Sequence, residues 1–228
     1  MALEGLVIVF SILLAFAIDA WWDQRKEHAD GIEQLARVDA ELRLDSQMIQ
    51  TKLRTLQSGI EATSEFISWM GPEPSPQETE TITRQLAVAF DIGTFSLVRR
   101  AVDDYLAAGR ESTPRDAEIR QLLSEWSFHA DQLAYQYTIL RTEHWTVTDH
   151  LNRIPAASAL TLTKVNPVMA KHPDSRFPFD PNALLTDPVL ESLSATYLIR
   201  LEFVVLQLKR QEERQAGLLA LIETALAE

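Results

Sequence analysis

Residues 119–154 read IRQLLSEWSFHADQLAYQYTILRTEHWTVTDHLNRI. Ile119, Leu123, Trp126, Ala130, Leu133, Tyr137, Leu140, His144, Val147, Leu151 and Ile154 recur at alternating intervals of four and three. An α-helix turns every ~3.6 residues, so this spacing puts all eleven on one stripe. Sustained over about five heptads, it predicts a long helix packed lengthwise against other helices. Thr113 is placed to cap the start, Pro114 fits the first helical position, and Asp116 faces the positive end of the helix dipole. Pro155, which lacks a backbone N–H, closes the helix.

The same pattern returns on both sides. Towards the C-terminus, Asp187-Pro188 opens a helix whose stripe is Leu190, Ser194, Tyr197, Leu201, Val204, Leu208, Gln211, Gln215, Leu218, Ile222 and Ala225. Gln211 and Gln215 form a buried polar layer of the kind that sets helix register. Six prolines punctuate residues 155–188. This predicts an irregular connection over 155–187, with a helical turn at 182–185 and Val168, Phe177 and Phe179 laid over the bundle end.

Towards the N-terminus, Ile32 to Met70 carries two seven-residue lines. One is Ile32, Asp39, Ser46, Leu53, Ile60 and Ile67. The other is Leu35, Leu42, Ile49, Leu56, Thr63 and Met70. Gly71-Pro72-Glu73-Pro74-Ser75-Pro76 then ends the helix. Two short helices are expected next. Thr79 or Thr81 caps the first, which carries Ile82, Leu86, Val88 and Phe90 and breaks at Gly93. Thr94 caps the second, which carries Leu97 to Leu106 and stops at Gly109. Asp39 falls on the apolar stripe, where a carboxylate needs a partner such as Arg99, Arg100 or Arg120.

The chain also holds LEGLVIVFSILLAFAIDAWW, Leu3 to Trp22. About 20 residues at ~1.5 Å each make a helix of ~30 Å, the thickness of a bilayer core. Leu6 to Ile18 is apolar on every face, which suits lipid better than a two-sided bundle. Ala15-Phe16-Ala17 matches a signal-peptidase pattern, but no basic stretch precedes it and the helical pattern runs straight through. Trp21 and Trp22 fit the interfacial belt, Arg25 and Lys26 follow it, and Asp19 sits one turn away, within reach of the headgroups. An alternative role for Asp19 is a ring lining the mouth of an oligomer. The positive-inside rule places the remainder of the protein in the cytoplasm.

The fold class is therefore all-α: an N-terminal transmembrane helix, residues 1–23, continuing into an elongated antiparallel bundle of heptad-patterned helices, residues 24–228. Seven glycines in 228 residues agree with long helices, and 46% hydrophobic residues supply a core. There is no cysteine, hence no disulfide or thiolate metal site. The net charge of -12 opposes nucleic-acid binding, which needs clustered Lys and Arg.

No phosphate loop, His-Glu-x-x-His or nucleophile elbow occurs. His129, Gln136, Glu143 and His150 lie a heptad apart with Glu125 nearby, but the second Glu-x-x-His that a di-metal bundle site requires is missing. No catalytic, cofactor-binding or metal-binding residues and no small-molecule substrate are expected. The site residues are those of the membrane interface (Asp19, Trp21, Trp22, Arg25, Lys26) and the buried polar ones (Asp39, Gln211, Gln215).

Three places together resemble a family of bacterial single-pass membrane proteins classed as a domain of unknown function. They are Ala15 to Glu27, with Ile18-Asp19-Ala20-Trp21 against that family's Ile-Asn-x-Trp; Leu35, Asp39, Leu42 and Asp45; and Asp104 to Gly109 with Ile119 to Leu123. Leu184-Thr186-Asp187-Pro188 also fits. Asp19 stands where the family tends to carry Asn. The resemblance implies an inner-membrane anchor with an all-helical domain, and no activity. The expected function is a membrane-anchored interaction or assembly protein that binds the bilayer and a protein partner or itself. The alternative is an oligomeric channel or sensor subunit built on the first helix.

Overall fold

The computed structural model describes residues 2–109, 114–154 and 180–227, with side chains given from Phe10 onward except those of Ser11 and Pro114. These residues form six α-helices and no strand: α1 Ala2–Trp69, α2 Thr79–Ala89, α3 Arg100–Ala107, α4 Pro114–Arg153, α5 Pro181–Leu185 and α6 Pro188–Leu226. The all-helical bundle read from the sequence is what forms.

Two stripes are buried along most of their length, with His144, Ile154 and Ala225 only partly so. On α4, Ile119, Leu123, Trp126, Ala130, Leu133, Tyr137, Leu140, Val147 and Leu151 are buried. On α6, Leu190, Ser194, Tyr197, Leu201, Val204, Leu208, Gln211, Gln215, Leu218 and Ile222 are buried. α1 requires a correction. Its line through Leu35, Leu42, Ile49, Leu56 and Thr63 is buried as expected; of the other expected line Leu53 is in the core and Ile60 packs against it, but the more fully buried companion is Val38, Asp45, Lys52, Gly59 and Phe66, one residue before that apolar line. Ile32 of that apolar line is 41% exposed. The alternation of three and four is kept, with Asp45 and Lys52 inside it.

The helix ends follow local chemistry. Asp187 caps α6: its Oδ1 accepts from the N–H groups of Val189 (2.8 Å) and Leu190 (3.1 Å), with Pro188 in the first helical position. The turn expected at 182–185 is α5, capped by Asp180 and opened by Pro181. Gly109, at φ +64°, ends the chain leaving α3. Two expected caps fail. Glu78, not Thr79 or Thr81, precedes α2, without a side-chain bond. The chain from Thr94 to Arg99 is not helical, so Thr94 caps nothing. Val88, placed on the inner face by its apolarity, is exposed, and Thr83 is buried instead, bonded to Thr79 O. The cap at Thr113, the stop at Pro155 and the cover of Val168, Phe177 and Phe179 lie outside the described residues.

The contacts group the chain into two compact units. The first is Met1–Leu44, Val98–Ser127 and Gln215–Glu228; the second is Asp45–Leu97 and Phe128–Arg214. In the second, Ile49, Leu56, Phe66, Ile82, Leu86, Leu140, Leu190, Leu201 and Leu208 belong to one hydrophobic core. α4 and α6 run antiparallel there, since the ring of His144 lies beside Tyr197 and His150 meets Asp187. The chain after Trp69 is tied back by Gly71 N–H bonding to Leu185 O at 3.0 Å.

Among the described residues no helix is long and apolar enough to cross a membrane. Of the stretch Leu3–Trp22, the side chains of residues 3–9 and 11 lie outside that description, and what is described is helical backbone throughout. The helix expected at the N-terminus is present; the membrane span is not a property of the described residues.

Gly59 marks where α2 leans on α1. A Cβ there would meet Ala89 O at 3.6 Å, Val88 O at 3.8 Å and Leu201 Cδ1 at 4.0 Å, all ordinary contacts. One methyl fits and also removes the entropy that a helical glycine loses, so Gly59→Ala should stabilise by about 0.5–1 kcal/mol. Gly59→Leu should destabilise by more than about 1 kcal/mol through overpacking. Urea unfolding of the three proteins checks the order.

Candidate functional site

A cluster of polar side chains, buried or partly buried, in the second unit surrounds the bend that follows α2. Ala89 to Gly93 leaves its helix with Ala89 and Ile92 buried and Asp91 and Gly93 exposed, and of its carbonyls Phe90 O accepts from the Ile92 N–H at 3.2 Å. Side chains from each long helix supply the donors. Tyr197 of α6 donates to Ala89 O at 3.1 Å. His144 of α4 bonds Phe90 O through Nε2 at 3.0 Å. Lys52 of α1 donates to Ile92 O at 2.7 Å. The Tyr137 hydroxyl lies 2.5 Å from Ile92 O and 2.9 Å from Gly93 O, and accepts from Lys52 Nζ at 3.3 Å.

Burial shapes the ionisation of each member. It lowers the pKa of Lys52, against the pull of Asp91, which favours the ammonium. It pushes Tyr137 up to about 12, with Arg141 acting downward and Asp91 upward. It raises Tyr197 as well, helped by Tyr137 and Asp91. His144 is lowered by burial and by Arg141, against the Phe90 carbonyl and Asp91. Since a carbonyl can only accept, Nε2 carries the proton of the neutral ring. The Lys52 ammonium also sits 5.5 Å from the Tyr137 ring centroid, a contact that partly replaces lost hydration. Gly93, at φ +52°, makes the turn, and a Cβ there would meet Lys52 Nζ at 3.4 Å. Every donor of the cluster points at a backbone carbonyl, so the chemistry on display is chain fastening, with no nucleophile–base pair.

A second latch closes the same unit. His150 Nε2 meets Asp187 Oδ2 at 2.8 Å, with both side chains about one-fifth exposed. Burial pulls the Asp187 pKa upward, but the bonds from His150 and from the Leu190 and Val189 N–H groups outweigh it, and the net shift is down.

In the first unit the polar contacts are again side chain to backbone. Both Glu41 oxygens accept from the first N–H groups of α3, at 2.9 Å from Ala101 and 3.2 Å from Val102. Arg120 donates to Leu106 O at 3.0 Å and stacks 4.8 Å from the Tyr105 ring centroid. Gln215 accepts from Trp126 Nε1 at 3.0 Å and donates to Leu42 O.

The residues singled out from sequence fare unevenly. Gln211 and Gln215 are buried as expected, and Gln215 joins α1, α4 and α6. Asp39 is partly buried, but its partner is Arg43, one turn along α1 at 2.7 Å, not Arg99, Arg100 or Arg120. An i,i+4 cation is nearer than any on another helix. Asp19, Trp21, Trp22, Arg25 and Lys26 are all exposed on α1. Of the histidine line on α4, His150 bonds Asp187, and among the described residues no three His, Asp or Glu side chains gather to hold a metal. Lys52 is not among the residues that the apolar spacing selects, and the signal for it is a lysine falling on a core line. Tyr137, His144 and Tyr197 lie on the expected stripes, and nothing in that spacing shows what they bond.

No family model, curated protein or solved structure matches the chain.

Lys52 and Tyr137 cover for one another at Ile92 O. Lys52→Met and Tyr137→Phe should each cost about 1 kcal/mol, the net worth of one hydrogen bond. The double variant leaves that carbonyl without either donor and should exceed the sum by about 1 kcal/mol, measured as a double-mutant cycle.

The His144 pKa lies below its ordinary 6.5 in the folded state. Between the folded value and 6.5 the unfolded chain binds more protons, so stability rises with pH there and is lost as pH falls below 6.5. His144→Gln keeps a donor for Phe90 O and should flatten that slope. Denaturation midpoints of the two proteins from pH 7 down to 5 test it; parallel curves would contradict it.

Proposed function

We propose that this protein is a single-pass, membrane-anchored helical bundle that serves interaction or assembly rather than catalysis. One observation carries the reading. On α1, the described side chains from Phe10 to Ala29 are exposed on every face of the helix, and those up to Trp22 are mostly apolar: Phe10 is 65%, Phe16 67% and Trp22 60% exposed. A helix apolar all round needs an apolar medium all round, and a bilayer is the medium that supplies it. Leu3–Trp22 has the length to cross one.

The neighbouring residues agree. Trp21 and Trp22 pack edge to face at 5.5 Å between centroids, and Arg25 lies 5.3 Å from the Trp21 ring centroid. Such amphipathic side chains settle at the headgroup layer. With Arg25 and Lys26 following the span, the bundle lies on the cytoplasmic face of the inner membrane. The resemblance to the bacterial single-pass family points the same way.

The full chain should remain in the pellet when membranes are washed with alkaline carbonate. A chain lacking residues 1–29 should stay in the supernatant with helical circular dichroism. Release of the full chain by carbonate would overturn the anchor.

A further inference from the structure

We infer that the second unit carries a pH-sensitive release: mild acid frees α2 and the bend after it from the long helices, while the contact that joins the ends of α4 and α6 holds. Two histidines on α4 serve these two places, and they answer a second proton in opposite ways. His144 Nε2 donates to Phe90 O on the bend at 3.0 Å. His150 Nε2 donates to Asp187 Oδ2, at the cap of α6, at 2.8 Å. A carbonyl and a carboxylate only accept, so each neutral ring spends its proton on that bond and Nδ1 is the atom left to protonate.

The surroundings of the two rings set the sign. The His144 ring lies 6.3 Å, between centroids, from Phe90 on the bend and from Tyr197 on α6. Burial there disfavours the charged ring, the Phe90 carbonyl favours it, Arg141 of α4 opposes it and Asp91 of the bend supports it, with burial the largest influence. Lys52 of α1 and the Tyr137 phenol, the other titratable groups on the bend, hold Ile92 O. His150 instead faces the Asp187 carboxylate, with about one-fifth of each side chain exposed. Its neighbours on α4, Asp149 and Arg153, are paired with each other. A second proton on His150 turns its bond to Asp187 into a charge-assisted one, the stronger kind.

α2 is the element that acid can release. It has 11 residues and buries Ile82, Thr83, Leu86 and Ala89. Non-helical chain flanks it on both sides, with Gly71 at φ +145° and Gly93 at φ +52°. Short segments with few buried side chains open at less cost than the whole fold. The long helices keep their own stripes when α2 leaves, and the Gly71 N–H bond to Leu185 O ties the chain before it. Opening α2 uncovers α1 at Gly59, which faces the Val88 and Ala89 carbonyls in the closed state.

The test is hydrogen exchange of the full chain in detergent, read by mass spectrometry from pH 7.5 to 5 and corrected for the intrinsic pH dependence of exchange. Peptides covering 79–93 should lose protection by up to about tenfold for each pH unit below 6.5, for as long as the folded His144 ring stays neutral. Peptides from the centres of α4 and α6 should keep theirs. His144→Gln should abolish the loss in α2, and His150→Gln should leave it as in the wild type. Asp91→Asn removes the carboxylate that supports the charged ring and should enlarge the loss. Protection that holds in α2, that falls equally in α2, α4 and α6, or that still falls with acid in His144→Gln overturns the inference. If His144→Gln has already lost α2 protection at pH 7.5, Asp91→Asn decides, because its side chain is exposed: a loss no larger than in the wild type overturns the inference.

Discussion

A stretch of backbone that leaves a helix inside a core must find donors for its carbonyls, and the second unit is arranged around meeting that need at Ala89–Gly93. An unmet buried carbonyl costs about 1–3 kcal/mol, and several lie together here. Tyr197, His144, Lys52 and Tyr137 answer them from α6, α4 and α1. Tyr137 and His144 are one heptad apart, so a single face of α4 serves two points of the bend. Because donors come from all three long helices, sliding α6 by a turn would take the Tyr197 donor from Ala89 O, sliding α4 would take His144 and Tyr137 from the bend, and sliding α1 would leave the Lys52 ammonium without its carbonyl. Apolar contacts alone tolerate such slips far better, since one leucine replaces another. The bend therefore sets the register, and the leucines supply the attraction.

That division of labour explains why polar groups sit on the core lines. Lys52 occupies a position that packing alone would give to an aliphatic side chain. Its ammonium is kept by a carbonyl, a phenol oxygen and the face of a ring. Gln215 does the same service in the first unit, where it ties Trp126 to the Leu42 carbonyl. Single polar residues on otherwise apolar stripes are the usual means by which helices choose one alignment among several. Glu41, which holds the start of α3, extends the principle to a short helix whose own N-cap residue, Arg99, makes no side-chain capping bond.

Much of this was legible beforehand, for physical reasons that differ by element. The α4 and α6 stripes repeat over more than thirty residues, and a period that long leaves little choice of face. Asp187-Pro188 and Asp180-Pro181 carry their helix starts in their own side chains. Hydrophobicity alone places the α1 companion line one residue late, because Ile32, Ile60 and Ile67 are apolar while Asp45 and Lys52 are not. Hydrophobicity measures transfer from water and is blind to a partner elsewhere in the chain, and a partner is what keeps Lys52 inside. The stripe likewise points Asp39 towards arginines on other helices, while its partner Arg43 lies one turn away on its own. The bend at Ala89–Gly93 could be located from Gly93, but its four donors come from residues as far apart as 52 and 197, and no local pattern joins them.

The continuity of α1 links the fastening of the bundle to the exposed apolar segment. From Ala2 to Trp69 the helix has no proline, and Gly31 and Gly59 are accommodated within it without a break. A flexible tether would let an anchor and a domain move independently. A single helix does not, because bending it sharply means opening backbone hydrogen bonds that nothing nearby would replace. The residues that grip α1, Glu41 through α3 and Lys52 through the bend after α2, stand on the same rod as Trp21, Trp22 and Arg25.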